Sequence, residues 1–394
     1  MNSIIIRKKI VVACDSFKGS LSSADVAKAA EAGILSVLPD AEVMCVPVAD
    51  GGEGTVHMLV DALHGRYVDA EVSDPLGRPV KATYGIVRVD GVQTAIIEMA
   101  QASGLTLLTA DERNPRITSS SGTGELINHA FDAGCRHFIV GIGGSATNDG
   151  GAGMLRALGV RFLDRAGNDL PEGGSSLRFL DKIDASEART DILECPFTVM
   201  CDVDNPLVGE NGASAVFGPQ KGASAEDVSL LDAALARYGK CLQDIAMTDV
   251  VSKPGAGAAG GLGASFYAFF NSRMQPGIST ALDLIGFSGM IADAALVITG
   301  EGKLDRQTLR GKAPLGVLRY ARKAGVPVVA VGGAVEDVVS LTEAGFAAVM
   351  SIQQKVLPLS EAMKPEIAAN NVSVTLSQIT RLYFKDCISV SYRH

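Results

Sequence analysis

Residues 10–55 read IVVACDSFKGSLSSADVAKAAEAGILSVLPDAEVMCVPVADGGEGT. The run Ile10–Cys14 is short and apolar, as in a buried parallel strand. The loop DSFKGS follows, and Ser22 with Asp25 three residues on forms a capping pattern. Val26, Ala30, Ile34 and Val37 then mark one helical face. Val43–Val48 predicts a second strand, and ADGGEGT leads into a helix bearing Val56, Leu59, Val60 and Leu63. The order is β-α-β-α.

The C-terminal third repeats this order, with apolar runs Ala295–Thr299, Val326–Val331 and Ala347–Ile352 and helical stretches between them. The middle differs. Val68–Val72, Val80–Tyr84 and Ile86–Val89 are β-rich, and Asp90-Gly91 is a two-residue hairpin signal. The expected fold class is α/β: a Rossmann-like parallel-sheet domain formed by both termini (1–66 plus 291–394). A second α/β domain containing antiparallel strands is inserted at 67–290.

Composition narrows the function classes. The 394 residues include 44 glycines, above the usual ~7%. Net charge is −9, which offers no global basic face for nucleic acid, so any anion site must be built locally. The seven cysteines are scattered with no Cys-x-x-Cys pair, which points to a reducing, cytoplasmic setting without a zinc site. The start is not a signal peptide, because Arg7, Lys8 and Lys9 split its apolar run. The longest uncharged stretch, 254–272, carries five glycines and is no membrane span. The sequence is compatible with a homo-oligomer.

The glycines cluster with Ser, Thr, Asp and Asn after apolar runs, where ligands bind in parallel sheets. The sharpest cluster is GIGGSATNDGG (141–151), following His137–Val140. Its N–H groups at Gly143 and Gly144, with Ser145 and Thr147, suit a phosphate, and Asp149 suits a cation. Gly141, Gly143 and Ala146 also fit a dinucleotide pattern, with Asp164 near the expected ribose-binding acid, but Thr147–Gly151 is turn chemistry rather than a helix start. A second loop, SSSGTGE (119–125), supplies Ser120, Ser121 and Thr123, more hydroxyls than a helix cap needs. A third, GAGAAGGLG (255–263), is explained equally well by close helix packing. Acids and lysines stand near predicted strand ends: Asp15 and Lys18, Asp50 and Glu53, Asp202 and Asp204, Glu301, Lys303 and Asp305. That inventory suits magnesium, nucleotide phosphates and an acid–base group, which is phosphoryl transfer. There is no Walker A motif, no protein-kinase signature, no H-E-x-x-H and no G-x-S-x-G.

Nine motifs in one order resemble the bacterial glycerate kinase family of the glycerate 2-kinase type. They are DSFKGSLS (15–22), PVADGGEGT (47–55), EMAQASGL (98–105), SSSGTGELI (119–127), GIGGSATNDGGAGMLRALG (141–159), CDVDNPLVG (201–209), VFGPQKGA (216–223), PGAGAAGGLG (254–263) and TGEGKLDRQTLRGK (299–312). The match runs from about residue 10 to about 335, and residues after about 370 look less family-like, so no function is placed there. The resemblance implies ATP-dependent phosphorylation of D-glycerate to 2-phosphoglycerate with Mg2+, in glyoxylate and aldarate catabolism, on a Rossmann-like domain with an inserted α/β domain.

On that reading glycerate and ATP meet in an inter-domain cleft. Lys18 and Lys303 bind the substrate carboxylate or the transferring phosphoryl group. Asp202, or second Asp305, accepts the hydroxyl proton. One of Asp50, Asp149 and Asp202 helps hold Mg2+. Gly143, Gly144, Ser145 and Thr147, with Ser120, Ser121 and Thr123, cradle the ATP phosphates. The alternatives are the same kinase giving 3-phosphoglycerate, an NAD-dependent oxidoreductase on a small hydroxy acid, and a non-catalytic carboxylate-binding protein.

Overall fold

The computed structural model describes residues 8–48, 52 and 54–387. Asp50 and Glu53 lie outside the described residues. The chain divides into two compact units, residues 1–50 with 281–394, and residues 51–280. The strands are, in chain order, β1 (Lys9–Cys14), β2 (Glu42–Cys45), β3 (Arg66–Ser73), β4 (Pro79–Val89), β5 (Val92–Glu98) and β6 (His137–Gly141). There follow β7 (Arg161–Leu163), β8 (Lys182–Asp184), β9 (Pro196–Met200), β10 (Asn271–Gln275), β11 (Leu296–Leu304), β12 (Val328–Val335) and β13 (Ala348–Ser351).

The first unit is built on a five-stranded, all-parallel sheet ordered β13-β12-β11-β1-β2. Ile10–Cys14 is buried throughout, as a central parallel strand requires. The helix Ser23–Leu35 is capped by Ser22, whose Oγ accepts from Asp25 N at 3.1 Å. Val26, Ala30 and Ile34 are buried, but the helix ends at Leu35, so Val37 lies beyond it and Leu38 fills the core instead. The predicted strand Val43–Val48 is shorter: β2 is an edge strand, and its ladder with β1 ends at Val12↔Cys45.

Helix Pro365–Tyr383 completes this core. Ala368, Val372, Leu376 and Ile379 pack with Ile10, Val12 and Ile34. A Cβ on Gly33 would lie 2.2 Å from the Ser373 carbonyl oxygen, so glycine there lets the two helices touch.

The second unit carries a six-stranded sheet ordered β10-β9-β6-β5-β4-β3 and a small antiparallel pair β7-β8. Strands β3, β4 and β5 are antiparallel neighbours, and β5, β6, β9 and β10 run parallel. The hairpin falls at Asp90-Gly91, with Val89 facing Val92 and φ of +49° and +81°, which is why these residues were needed. The two predicted runs at 80–84 and 86–89 form one strand through Gly85, where a Cβ would meet Val60 Cγ2 at 2.1 Å. Aromatic packing anchors the interior, including Phe138 stacked on Phe197 at 4.6 Å. No described helix is long and apolar enough to cross a membrane.

Candidate active site

In the first unit, β1 lies beside β11 at the centre of the sheet. From there the chain proceeds to β2 on one side and to β12 and β13 on the other. Connections that diverge in this way leave a crevice beyond the strand carboxyl ends, the usual ligand position in open α/β sheets. A cavity of about 500 Å³ lies there. Lys18, Lys303 and Lys312 line it together with Asp15, Glu301 and Glu336, and Phe17, Ile352, Leu359 and Met363 supply an apolar wall.

Local structure fixes these side chains. After β1, Asp15 N donates to Gly300 O at 2.9 Å, and Phe17 and Leu21 exchange backbone hydrogen bonds at 2.9 and 3.0 Å. This tight turn, with Gly19 at φ +77°, leaves Lys18 exposed at the cavity. On the other side, Glu301 and Lys303 stand within β11 rather than in a following loop. The β11–β12 ladder continues to them, pairing Glu301 with Gly332 and Lys303 with Ala334.

Lys303 pairs with Glu336 at 3.0 Å and Asp305 at 3.6 Å, and hydrogen bonding to Glu336 raises its pKa. Asp305 takes the Gln307 N–H at 2.8 Å and is outside the cavity wall. Sequence reading gave no role to Lys312. The buried Glu301 carboxylate accepts from Lys312 Nζ at 2.9 Å and from Thr308 Oγ1 at 2.6 Å, which holds the ammonium at the wall. The signal was present in the spacing Glu301…Lys312, but only the fold shows that the two meet.

In the second unit, β9 ends at Met200 and Asp202 follows in an exposed loop, where its Oδ1 accepts from Gly277 N at 2.9 Å. The glycine-rich loop after β6 presents only its tip: Gly143 and Gly144 are exposed, Ser145 is 7% exposed and Thr147 is fully buried.

Several predicted ligand groups face inward. Asp149 is 1% exposed. Its carboxylate accepts from Ser120 N and Ser120 Oγ, both at 2.8 Å, from Gly151 N at 3.1 Å and from Gly153 N at 3.2 Å. Ser120 Oγ also accepts from Met154 N at 3.0 Å, and Thr123 Oγ1 bonds Ser103 Oγ at 2.8 Å. Ser121 is buried in the first turn of helix Ser121–Asp132. The Ser120 and Thr123 hydroxyls and the Asp149 carboxylate are thus engaged internally and Ser121 is buried, while the buried Thr147 Oγ1 has no hydrogen-bond partner among the described residues. A ligand there would have to displace buried internal hydrogen bonds or open the packing, each at a desolvation cost. The 255–263 cluster serves packing: Gly260 has φ +68°, and a Cβ there would lie 2.0 Å from the Thr147 carbonyl oxygen.

Among the described residues no group of three or more His, Cys, Asp or Glu side chains could hold a metal ion. Mg2+ bound with substrate phosphates needs only one or two carboxylates. Asp202 is the one member of the predicted metal set that is both described and exposed.

Comparison with known proteins places these features in a lineage. The model of the Glycerate kinase family matches residues 10–384. That span runs past the expected limit near 335 and includes the whole C-terminal core helix. The chain is 47% identical over 357 residues to a glycerate kinase of Bacillus subtilis, covering 90% of this chain and 93% of that one. It is 46% identical over 375 residues to a glycerate 2-kinase of Escherichia coli, covering 94% and 98%. A crystal structure assigned as glycerate kinase 2, from Salmonella typhimurium LT2, superposes with a TM-score of 0.86 at 46% identity, covering 97% of this chain and all of that one.

Proposed function

Because the chain belongs to the glycerate kinase family, and is thereby a kinase, we propose that it transfers the γ-phosphoryl group of Mg·ATP to the 2-hydroxyl of D-glycerate. The observation that carries this reading is the lysine-lined cavity at the carboxyl ends of β1 and β11. Its three lysines are balanced by Asp15, Glu301 and Glu336, so what the cavity offers a small carboxylate substrate and a transferring phosphoryl group is individually placed ammonium groups rather than net positive charge. Lys18 and Lys303 are both exposed there, and Lys303 stands between its two acidic partners. Lys18 binds the glycerate carboxylate, and Lys303 stabilises charge on the transferred group.

In the second unit the exposed Asp202 accepts the hydroxyl proton, and its bond from Gly277 N orients the carboxylate. Gly143, Gly144 and Ser145 hold ATP phosphates through backbone N–H groups and one hydroxyl. Mg2+ bound with the phosphates would be held by few protein carboxylates, Asp202 among them, and would neutralise phosphate charge. The glycerate 2-kinase relative supports the 2-phosphate product. Seven free cysteines support work in the reducing cytoplasm.

The test mixes protein, Mg·ATP and D-glycerate and couples the product to enolase and pyruvate kinase. Signal without phosphoglycerate mutase is expected, because enolase accepts the 2-phosphate. Signal only with mutase means the 3-phosphate, and no ADP at all overturns the kinase reading.

Lys18→Met should raise KM for glycerate about 10–100-fold through loss of a charge-assisted hydrogen bond. KM for ATP should stay near wild type. An unchanged glycerate KM would remove Lys18 from substrate binding.

A further inference from the structure

Lys221 has no part in the chemistry above, yet its side chain is only 1% exposed. It closes the short 3₁₀ turn Pro219–Lys221. The next residue, Gly222, has φ +95°, and a Cβ there would lie 2.2 Å from the Arg113 carbonyl oxygen, so this backbone has little room to shift. From that anchor Nζ donates to Ser145 Oγ at 2.7 Å and to Thr147 O at 2.6 Å, 76 and 74 residues earlier in the chain. Burial pushes the Lys221 pKa down to about 7, against the smaller opposing pull of Asp149. An apolar residue of similar length would fill the space without desolvating an amine. What the amine adds is two directed bonds into one loop.

Those bonds have a consequence for Ser145. A hydroxyl has one proton to donate, and Ser145 Oγ already accepts from Lys221. Among the described residues no protein acceptor takes the Ser145 proton, and none takes the N–H of Gly143, Gly144 or Ser145. Gly144 sits at φ +76°, and Gly143 and Gly144 are exposed. Successive N–H groups around a left-handed residue form a concave seat for an anion. One hydroxyl adjoins that seat with its proton unclaimed.

We infer that Lys221 is a positioning residue for nucleotide phosphate: it holds Ser145 with its hydroxyl proton available to the Gly143–Ser145 seat. The Thr147 bond fixes the other end of the same turn. The inference rests on the reading of this loop as the phosphate cradle and adds the residue that sets its geometry. Lys221 itself touches no ligand.

The test measures Mg·AMP-PNP affinity by titration calorimetry, with kinetics, for the full chain carrying Lys221→Met, Ser145→Ala or both. Each single variant should weaken AMP-PNP roughly tenfold, and the double should be no more than about twofold weaker than the worse single, because both break one chain of contacts. The KM for glycerate should move less than about twofold, since general loosening of the fold would disturb both substrates. If Ser145→Ala loses affinity and Lys221→Met does not, the role of Lys221 is overturned and the loop reading stands. Additive losses also overturn it. If neither variant changes AMP-PNP affinity, the loop reading fails and the inference with it.

Should Lys221→Met fail to fold, wild-type protein labelled with 15Nζ-lysine supplies the readout. The exchange-protected Lys221 amine resonance should shift on adding Mg·AMP-PNP and not on adding glycerate alone. A resonance that Mg·AMP-PNP leaves unmoved overturns the inference.

Discussion

Asp202→Asn is expected to lower kcat by about 10²–10⁴-fold, the usual contribution of a positioned general base. Asparagine keeps the shape of the side chain and an oxygen for the Gly277 N–H, so the loop keeps its anchor. The position is exposed and asparagine preserves the Gly277 contact, so the stability change should be small beside the loss of activity. What asparagine loses is the ability to take a proton from the substrate hydroxyl. Mg2+ dependence measured on the residual activity separates the two roles read for this carboxylate. An unchanged half-saturating Mg2+ concentration is expected for the base, whereas a metal ligand would move it upward. Near-normal kcat would remove Asp202 from both. Asp305, the second choice, lies outside the cavity wall and pairs with Lys303, so Asp305→Asn should act more weakly, through Lys303.

Much of the fold was legible because local signals and tertiary packing agree. The alternation around Ile10–Cys14 and the Asp90-Gly91 turn carry their own conformational reasons, burial on both faces and positive φ. Helix Pro365–Tyr383 was harder. Its buried positions Ala368, Val372, Leu376 and Ile379 follow helical spacing, but Asn371, Thr375 and Thr380 are buried beside them and dilute the contrast.

The candidate site was legible in residue type and not in direction. A hydroxyl-rich glycine loop reads alike whether its hydroxyls face a ligand or the interior. Strand pairing carries Glu301 and Lys303 into β11, and burial turns Ser120, Thr123 and Thr147 inward. Lys221 stands in the stretch PQKG, where a lone lysine next to a turn normally reads as solvated. No periodicity announces that it crosses to a loop 74 residues away.

Asp149→Ala should cost several kcal/mol, because each buried donor left unsatisfied costs about 1–3 kcal/mol. The carboxylate is the common acceptor for three backbone N–H groups and one hydroxyl, all drawn from 120–153. Alanine leaves those donors buried with no partner at that point, and an unsatisfied buried donor costs more than a hydrogen bond contributes. Packing gives no easy relaxation. A Cβ on Gly153 would lie 2.2 Å from Ser119 Oγ, so the two loops are already in contact. For a unit of this size the loss corresponds to a fall in Tm on the order of 10 °C. Hydrogen exchange should show where it arises, with protection lost first at residues 119–124 and 147–154. Asp149→Asn should be milder than alanine yet clearly destabilised, because its amide keeps one acceptor oxygen and turns an NH2 toward donors. A resident metal ligand would behave differently: the variant would keep its Tm in the absence of Mg2+ and lose activity that excess Mg2+ restores. The buried donors around Asp149 instead make it the acceptor that ties the two serine- and glycine-rich loops together, and a stable, Mg2+-rescuable Asp149→Ala protein would overturn that assignment.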